Sequence, residues 1–218
     1  MNKEIINRIL SSIVLISIAL FFILKGSFLF NFFIFTCFFV TVYEWYQMTK
    51  KKKYFYFGTL FLILSFFSVY LLRNHIREDE GLCLAIFLFV LLTCVGTDIG
   101  GYIFGKIFKG PKLIKISPNK TYAGMLGGFF LSIIFVYLFI NNAYFFGFES
   151  DYIFNQNNFI RILAISLTSQ IGDLIISYFK RLSKVKNTGK IIPGHGGLLD
   201  RIDGMIFAFP IAYIIFKI

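Results

Sequence analysis

Long apolar runs occupy most of this chain, and they limit its fold more than any other feature. About 20 consecutive apolar residues, with about 17 as a lower limit, cross the hydrocarbon core of a bilayer. Only 15% of the 218 residues are charged, and the mean hydropathy is +0.76. A soluble domain of this size could not bury so much apolar surface. The sequence therefore predicts an all-α, polytopic integral membrane protein with a single membrane domain over residues 1–218.

Seven runs are candidate membrane spans, and an eighth is interrupted by polar and small residues. The eighth is Gly96–Phe108 (GTDIGGYIFGKIF), which contains Asp98 and several glycines. We predict about 7–9 transmembrane or re-entrant helices in total. The seven spans are Ile9–Leu24, Phe28–Tyr43, Phe55–Leu72, Leu82–Val95, Tyr122–Ile140, Phe159–Phe179 and Met205–Lys217.

The positions of Lys and Arg predict how these spans are oriented. The N-terminal start and residues 50–53, 105–120 and 180–201 are basic, whereas the loops on the other side carry more acids than cations. Seven spans place all these basic segments on one side, which we expect to be the cytoplasm. A full span at Gly96–Phe108 would reverse the next basic loop, so we predict a re-entrant or broken helix there. Much of the net charge of +11 is then an orientation signal and a contact with anionic lipid.

Four of the eleven acidic residues are not explained by loops or chain ends. Seven acids, among them Glu44, are assigned to ends or loops. The four that remain are Asp98, Asp173, Asp200 and Asp203. Asp173 lies within an apolar run, where an isolated carboxylate costs roughly 2.5–3.5 kcal/mol on insertion scales. It either faces a cavity or an ion, or pairs with a cation and only holds helices together. Asp200 and Asp203 are either helix caps or, with the other two, an all-oxygen site of the kind that Mg²⁺ prefers.

The stretch Ser177–Asp203 concentrates six cations and four glycines beside these acids. Arg binds phosphate oxygens through its planar fork and Lys through a point charge, so Lys180 and Arg181 are candidate phosphate ligands. The alternative, strongest for the lysines that follow, is a solvated loop that only sets orientation. The glycine-rich turn Pro193–Gly197 can offer backbone N–H groups to an anion. His195 within it is a base, a phosphate donor or only a turn residue.

A second basic segment, KGPKLIKISPNKTYAGMLGG, repeats this pattern. Its polar residues just before the glycine-rich helix start are Ser117, Asn119, Lys120 and Thr121. Such a start favours phosphate, although an ordinary capped span would look the same. Glycines 124, 127 and 128 also suit close helix packing in lipid.

The residues together predict a membrane site that faces the cytoplasm, with carboxylates for a metal and cations for phosphates. Nucleotidyl or phosphoryl transfer on a lipid phosphate fits this chemistry. The chain lacks the G-x-x-x-x-G-K-[ST] loop of P-loop ATPases. Its three cysteines are odd in number and lie in apolar runs, which predicts neither a disulfide nor a thiolate metal site.

These motifs resemble the phosphatidate cytidylyltransferase, or CDP-diacylglycerol synthase, family. That family's signature reads S-x-x-K-R, four residues, K-D, then P-G-H-G-G, two residues, D-R-x-D. Upstream, TDIGGYIFGKIFKGPKLIKISPNKTYAG resembles its D-x-x-A/G-Y-x-x-G…S-P-x-K-T segment, and Gly172-Asp173-Leu174 matches its G-D-L. The resemblance covers roughly residues 90–218. The matching signature positions are Ser177, Lys180, Arg181, Lys186, Pro193, Gly194, His195, Gly196, Gly197, Asp200, Arg201 and Asp203.

The chain departs from the family pattern in several places. Asn187 stands where Asp is usual, Ala123 and Ile176 where Glu is usual, and Gly204 where Ser is usual. The departures put the completeness of the site in question. All four unexplained aspartates remain, so we expect an active enzyme.

The resemblance implies an enzyme that transfers CMP from CTP to phosphatidate, giving CDP-diacylglycerol and pyrophosphate for phospholipid biosynthesis in the bacterial inner membrane. It implies Mg²⁺ held by Asp173, Asp200 and Asp203, and it allows a second, monovalent cation such as K⁺. Residues 82–218 would form the catalytic spans and residues 1–81 the N-terminal spans. No nucleic-acid partner is expected, and a homodimer is left open. The catalytic residues implied are Asp98, Lys120, Asp173, Ser177, Lys180, Arg181, Asp200 and Asp203. The substrate-binding residues implied are Ser117, Lys120, Lys180, Arg181, Lys186, His195, Gly196, Gly197 and Arg201.

Other functions are compatible with parts of this pattern. The missing acids would suit a degenerate, non-catalytic family member or a membrane scaffold. An ion-coupled transporter with a cation site at Asp173 would predict inverted repeats, but the charged motifs lie in the C-terminal half only. Another lipid enzyme, such as a polyprenyl-phosphate sugar-phosphate transferase or a CDP-alcohol phosphatidyltransferase, is a further alternative. The second of these expects D-G-x-x-A-R…G-x-x-x-D-x-x-x-D, which is absent.

Overall fold

The chain folds as a bundle of helices. The computed structural model describes residues 3–50, 52–114, 117, 120–143, 148, 157–192 and 196–217, with side chains from residue 14 onward. These residues form eight helices and no strand, which confirms the predicted all-α class. The helices are α1 (Lys3–Lys25), α2 (Ser27–Thr49), α3 (Phe55–Asn74), α4 (Glu80–Phe108), α5 (Tyr122–Asn141), α6 (Asn158–Leu182), α7 (Leu199–Ile202) and α8 (Met205–Lys217).

Helices α2 to α6 are each long and apolar enough to cross a membrane, and two shorter apolar helical segments accompany them, Val14–Lys25 and Met205–Lys217. The outside of the bundle is as apolar as its inside. Phe28 and Phe57 are 75% and 78% exposed, while Phe30 and Phe89 are fully buried. A surface of this kind is stable only against lipid, so the chain is a polytopic membrane protein.

Helix α4 corrects one prediction. Leu82–Val95 and Gly96–Phe108 were expected to be a span followed by a re-entrant or broken helix, but they form one continuous helix of 29 residues. At 1.5 Å per residue it is about 43 Å long, which exceeds the roughly 30 Å of the hydrocarbon core. A helix of this length is long enough to cross the membrane once and to extend beyond it. Its backbone has no break at Gly96–Phe108.

The glycines of α4 serve packing rather than bending. A Cβ on Gly100 would lie 2.2 Å from the carbonyl oxygen of Gly127, and one on Gly96 would lie 2.8 Å from Cα of Ser132. Backbone therefore touches backbone where α4 meets α5, the close approach that small residues permit between membrane helices. The predicted packing role of the α5 glycines is confirmed. This contact fixes the position of α4 relative to the start of α5, where the site lies.

Candidate active site

A cavity of 490 Å³ lies where the second half of α4, the start of α5, the end of α6 and residues 186–203 meet. This is the end of the bundle that carries the basic segments 105–120 and 180–201. Its lining contains four carboxylates and four cationic groups, whose formal charges cancel. Those residues are Asp98, Asp173, Asp200, Asp203, Lys120, Lys180, Lys186 and Arg201. Four aspartates from three separate parts of the sequence thus share one cavity, as predicted.

Three of these acidic side chains interact with one another. Asp173 of α6 and Asp203, just before α8, are in hydrogen-bonding contact, and Asp98 of α4 interacts electrostatically with both. Burial, followed by the neighbouring Asp173, raises the pKa of Asp203 to about 8. Like charges held together away from water are stabilised when a cation or a proton binds to them. The site is therefore built to receive positive charge.

Two lysines supply part of this positive charge in the structure. The Lys120 ammonium contacts the Asp173 carboxylate. Lys180 donates to Asp200 Oδ1 at 3.0 Å and lies 3.5 Å from Asp203 Oδ2. The predicted alternative for Asp173, an ion pair that joins two helices, is thus present as a contact. It is compatible with a working site, since a flexible ammonium can leave a carboxylate for a phosphate.

Lys120 is held in place by the turn before α5. Its backbone carbonyl accepts from Leu113 N at 2.8 Å, and its N–H donates to the carbonyl of Ser117 at 3.0 Å. The next residue, Thr121, caps α5 by accepting from Gly124 N at 3.1 Å. Ser117 thus contributes through its backbone and does not line the cavity. The polar residues before α5 build a capped helix start that also aims Lys120 at the carboxylates.

Asp200 is engaged differently from the other carboxylates. Its Oδ2 accepts two backbone N–H groups, from Thr188 at 2.8 Å and Gly197 at 3.0 Å, while its Oδ1 accepts Lys180. Bonds of this kind shape the glycine-rich segment around the carboxylate. Asp200 was predicted as a metal ligand, and in this structure it joins two parts of the loop.

The segment that Asp200 organises has a second carboxylate behind it, which the sequence analysis missed. Glu44 was assigned to an end or a loop, but it lies inside α2 and is 1% exposed. It accepts hydrogen bonds from Leu198 N at 2.9 Å and Leu199 N at 2.8 Å. The signal available in the sequence was a Glu that follows a long apolar run and precedes Lys50 by six residues, near the end of a membrane helix, where a charge is costly unless it has partners.

The remaining predicted residues fall around the cavity. Ser177 donates to Asp173 Oδ1 at 3.3 Å, so it orients that carboxylate. Lys186 and Arg201 line the cavity, whereas Arg181 is exposed and not part of its lining. Gly196 adopts a φ of +92°, which favours glycine, and it pairs with Ile192 across the turn. The predicted substrate ligand His195 lies outside the described residues, as do Pro193, Gly194 and Asn119.

The donor set can be tested for its fit to Mg²⁺. Among the described residues, no group of three or more His, Cys, Asp or Glu side chains is arranged to hold a metal ion. The contacting pair of Asp173 and Asp203 offers carboxylate oxygens only. Mg²⁺ is commonly held by one or two carboxylates, with waters and substrate phosphates completing its octahedron. The chemistry of this pair fits a magnesium ion that binds together with a phosphate-bearing substrate.

Comparison with known proteins places these features in a family. The sequence matches the family described as "Cytidylyltransferase family" over residues 6–80 and 56–218. A relative from Rickettsia felis, named phosphatidate cytidylyltransferase, is 35% identical over 220 residues, which cover 98% of this chain and 93% of the relative. A Rickettsia bellii relative of the same name is 36% identical over 181 residues, covering 79% and 73%.

Relatives of the same name from Staphylococcus are longer than this chain. The Staphylococcus aureus (strain COL) protein is 35% identical over 176 residues, which cover 78% of this chain and 64% of the relative. The chain therefore matches about two thirds of the length of the Staphylococcus relatives and nearly the full length of one Rickettsia relative.

Proposed function

The chain belongs to the cytidylyltransferase family, and on that premise we propose that it transfers CMP from CTP to phosphatidate. The products are CDP-diacylglycerol and pyrophosphate. We place the protein in the bacterial inner membrane, with the cavity open to the cytoplasm, where CTP is available. The basic segments at the cavity end of the bundle support this orientation.

One observation carries the proposal. Both aspartates of the signature and three of its cations, Lys180, Lys186 and Arg201, line one cavity at the end of a membrane helix bundle. Asp98 and Lys120 from the upstream motif and Asp173 line the same cavity. In the proposed orientation a lipid phosphate would lie at the level of the cavity, and a nucleotide would reach it from water. The cavity therefore lies where a soluble triphosphate and a membrane phosphate can meet.

The reaction needs little covalent chemistry from the protein. A phosphatidate oxygen attacks the α-phosphorus of CTP, the new P–O bond forms, and the bond to pyrophosphate breaks with its electrons on the leaving oxygen. A phosphate monoester carries about −1.5 to −2 charge at pH 7, so no base has to remove a proton from the nucleophile. Catalysis then depends on positioning and on neutralising charge.

The cations of the cavity supply the phosphate contacts in this proposal. Lys120 and Lys180 exchange their carboxylate partners for phosphate oxygens when substrate binds. Lys186 and Arg201, which line the same cavity, bind the outer phosphates. Asp200 holds the glycine-rich segment so that these cations keep their places.

The carboxylates supply the metal contacts. We propose that Asp173 and Asp203 hold Mg²⁺, with Ser177 orienting Asp173 and Asp98 beside them. Bound Mg²⁺ would neutralise charge on the triphosphate and on the leaving pyrophosphate. The charge balance supports this assignment, because a lining with four acids and four cations cannot by itself offset two anionic substrates.

The proposal is tested with purified protein in detergent or nanodiscs, labelled CTP, phosphatidate and Mg²⁺. We expect label from the α-phosphate to appear in lipid and pyrophosphate to be released in equal amount. Omitting phosphatidate should stop both. Absence of lipid-linked CMP across Mg²⁺, Mn²⁺ and added K⁺ would overturn the proposed function.

A further inference from the structure

Outside the cavity, a buried acid on an N-terminal helix accepts several hydrogen bonds from a distant part of the chain. Glu44 uses both carboxylate oxygens. Oε1 accepts from Leu198 N at 2.9 Å, and Oε2 accepts from Leu199 N at 2.8 Å and from Thr188 Oγ1 at 3.0 Å. These donors lie 144 to 155 residues later in the chain. A carboxylate saturated by three fixed donors away from water is a strong and specific tether.

The tethered segment has two faces. Towards the cavity it presents Lys186, Asn187, Asp200 and Arg201. On the other side it rests on Glu44. One residue joins the two faces, because Thr188 donates its backbone N–H to Asp200 Oδ2 and its hydroxyl to Glu44 Oε2. A shift of Glu44 would therefore reach Asp200 both through Thr188 and through Leu199, which precedes Asp200 in the chain.

Two glycines of the segment lie directly against the same carboxylate. A Cβ on Gly189 would lie 2.6 Å from Glu44 Oε1, and one on Gly197 would lie 2.4 Å from Glu44 Oε2. Both distances are too short for a side chain. The backbone therefore wraps directly around the carboxylate, and the absence of a Cβ at these positions is needed for that approach.

Helix α2 offers a firm base for this tether. The neighbouring Trp45 packs edge-on against Phe179 of α6, with ring centroids 5.3 Å apart, and donates its indole N–H to the carbonyl of Phe55 at 3.1 Å. The end of α2 is thus held against the helix that carries Asp173 and Lys180. Glu44 therefore lies on a helix that packs against the helix bearing two of the charged cavity residues.

We propose that Glu44 is a positioning residue of the active site, which holds the described residues on either side of the glycine-rich turn, 186–192 and 196–200, in the arrangement that binds and turns over substrate. The proposal rests on the proposed function for its kinetic readout, but not for its structural one. It also assigns the N-terminal helices a direct part in the site, which the division at residue 81 did not anticipate.

The test combines amide hydrogen exchange with kinetics on the full-length protein. In Glu44→Gln, which keeps the side-chain volume, one acceptor oxygen becomes an NH₂ group that faces a donor. We expect faster exchange at Leu198 and Leu199, and a fall in kcat/KM of about tenfold or more. The matched control is Glu78→Gln, an exposed acid in the loop between α3 and α4, which should leave both quantities unchanged.

A gentler pair of variants covers the case in which Glu44→Gln does not fold. Thr188→Val removes only the hydroxyl bond to Glu44 and should give the same changes to a smaller extent, whereas Thr188→Ser keeps the hydroxyl and should restore both. A purely structural role predicts a lower thermal midpoint with unchanged kcat/KM per folded molecule, and that result overturns the inference. So does exchange equal to that of Glu78→Gln. If the unsubstituted protein makes no lipid-linked CMP, the proposed function fails, while the exchange data still decide whether Glu44 holds the segment.

Discussion

The molecule buries charge in two regions, and it treats that charge in opposite ways. In the N-terminal helices, Arg73 is 6% exposed and donates to the carbonyl of Ile23 through two guanidinium nitrogens, at 3.1 and 3.2 Å. Glu44 likewise bonds only to backbone N–H groups and a hydroxyl among its described partners. In the cavity, by contrast, Asp173, Asp200 and Asp203 each face a lysine ammonium group, although Asp200 is also held by two backbone N–H groups.

The difference lies in whether a partner can be exchanged. A backbone donor or acceptor cannot leave its place. A charged side chain that is hydrogen-bonded to backbone groups therefore stabilises the structure and is not free to bind substrate. A lysine on a flexible stem can move to a phosphate and return. The comparison teaches that burial of charge alone does not identify a reactive site. The identity of the partners separates the fixed charges of α2 and α3 from the exchangeable charges of the cavity.

The largest effect that would sharpen this comparison is expected at Asp173. Asp173→Asn removes a charge that contacts Lys120 and Asp203 and that we assign to Mg²⁺. We expect turnover in the labelled-CTP assay to fall by at least about 100-fold. The thermal midpoint should stay the same or rise, because the substitution relieves repulsion among the cavity carboxylates.

Two variants serve as references for that result. Asp200→Asn should also lower turnover, but with faster amide exchange at Gly197, since its carboxylate accepts that N–H. Glu78→Gln should behave as unsubstituted protein. Near-normal turnover in Asp173→Asn would show that the exchangeable charges are not the reactive ones.

A second prediction concerns the packing that holds the cavity helices together. Gly100→Ala places a methyl group 2.2 Å from the carbonyl oxygen of Gly127, whereas the adjacent Gly101→Ala meets its nearest atom at 3.9 Å. We expect Gly100→Ala to lower the free energy of unfolding by about 3 kcal/mol, the upper range for overpacking. Gly101→Ala should be neutral or stabilising. Equal stability of these neighbouring variants would contradict the α4–α5 packing.

A third prediction addresses the fixed charges. Arg73→Met keeps the bulk of the side chain and removes both hydrogen bonds to Ile23. We expect a loss of about 2 kcal/mol in the free energy of unfolding, in the range for hydrogen bonds to charged groups. Turnover per folded molecule should not change, because Arg73 lies at the end of α3 away from the cavity. A fall in turnover without a fall in stability would break the distinction between the two regions.

The sequence was sufficient for features that depend on local composition. Apolar runs such as Phe55–Leu72 predicted helix α3 to within two residues, because burial in lipid needs no knowledge of a partner. The four cavity aspartates could be selected because charge in an apolar chain is costly.

Features that depend on distant partners were not predictable in this way. The glycines of Gly96–Phe108 indicated a break, but their role is set by the surface of α5, which the local sequence does not contain. Glu44 was assigned to an end or a loop, and its donors, at least 144 residues away, could not be identified from the local sequence. Asp200 was predicted as a metal ligand, and only the structure shows the two backbone N–H groups that it accepts. In each case the chemistry of the residue was clear and the identity of its partner was not.

The smallest effect is expected at Asn187, and it tests the charge balance of the cavity itself. Asn187 lines the cavity at a position where Asp is usual in the family that the chain resembles. Asn187→Asp would make five acids face four cations, so substrate binding should depend more strongly on Mg²⁺. We expect the Mg²⁺ concentration for half-maximal turnover to change while kcat at saturating Mg²⁺ stays within about tenfold, or about 1.4 kcal/mol, of the unsubstituted value. Asn187→Gln, which adds length without charge, is the control. A larger gain in kcat would show that the site needs an acid at position 187. Turnover would then be limited by a fixed charge that the present cavity lacks, and not by its exchangeable charges.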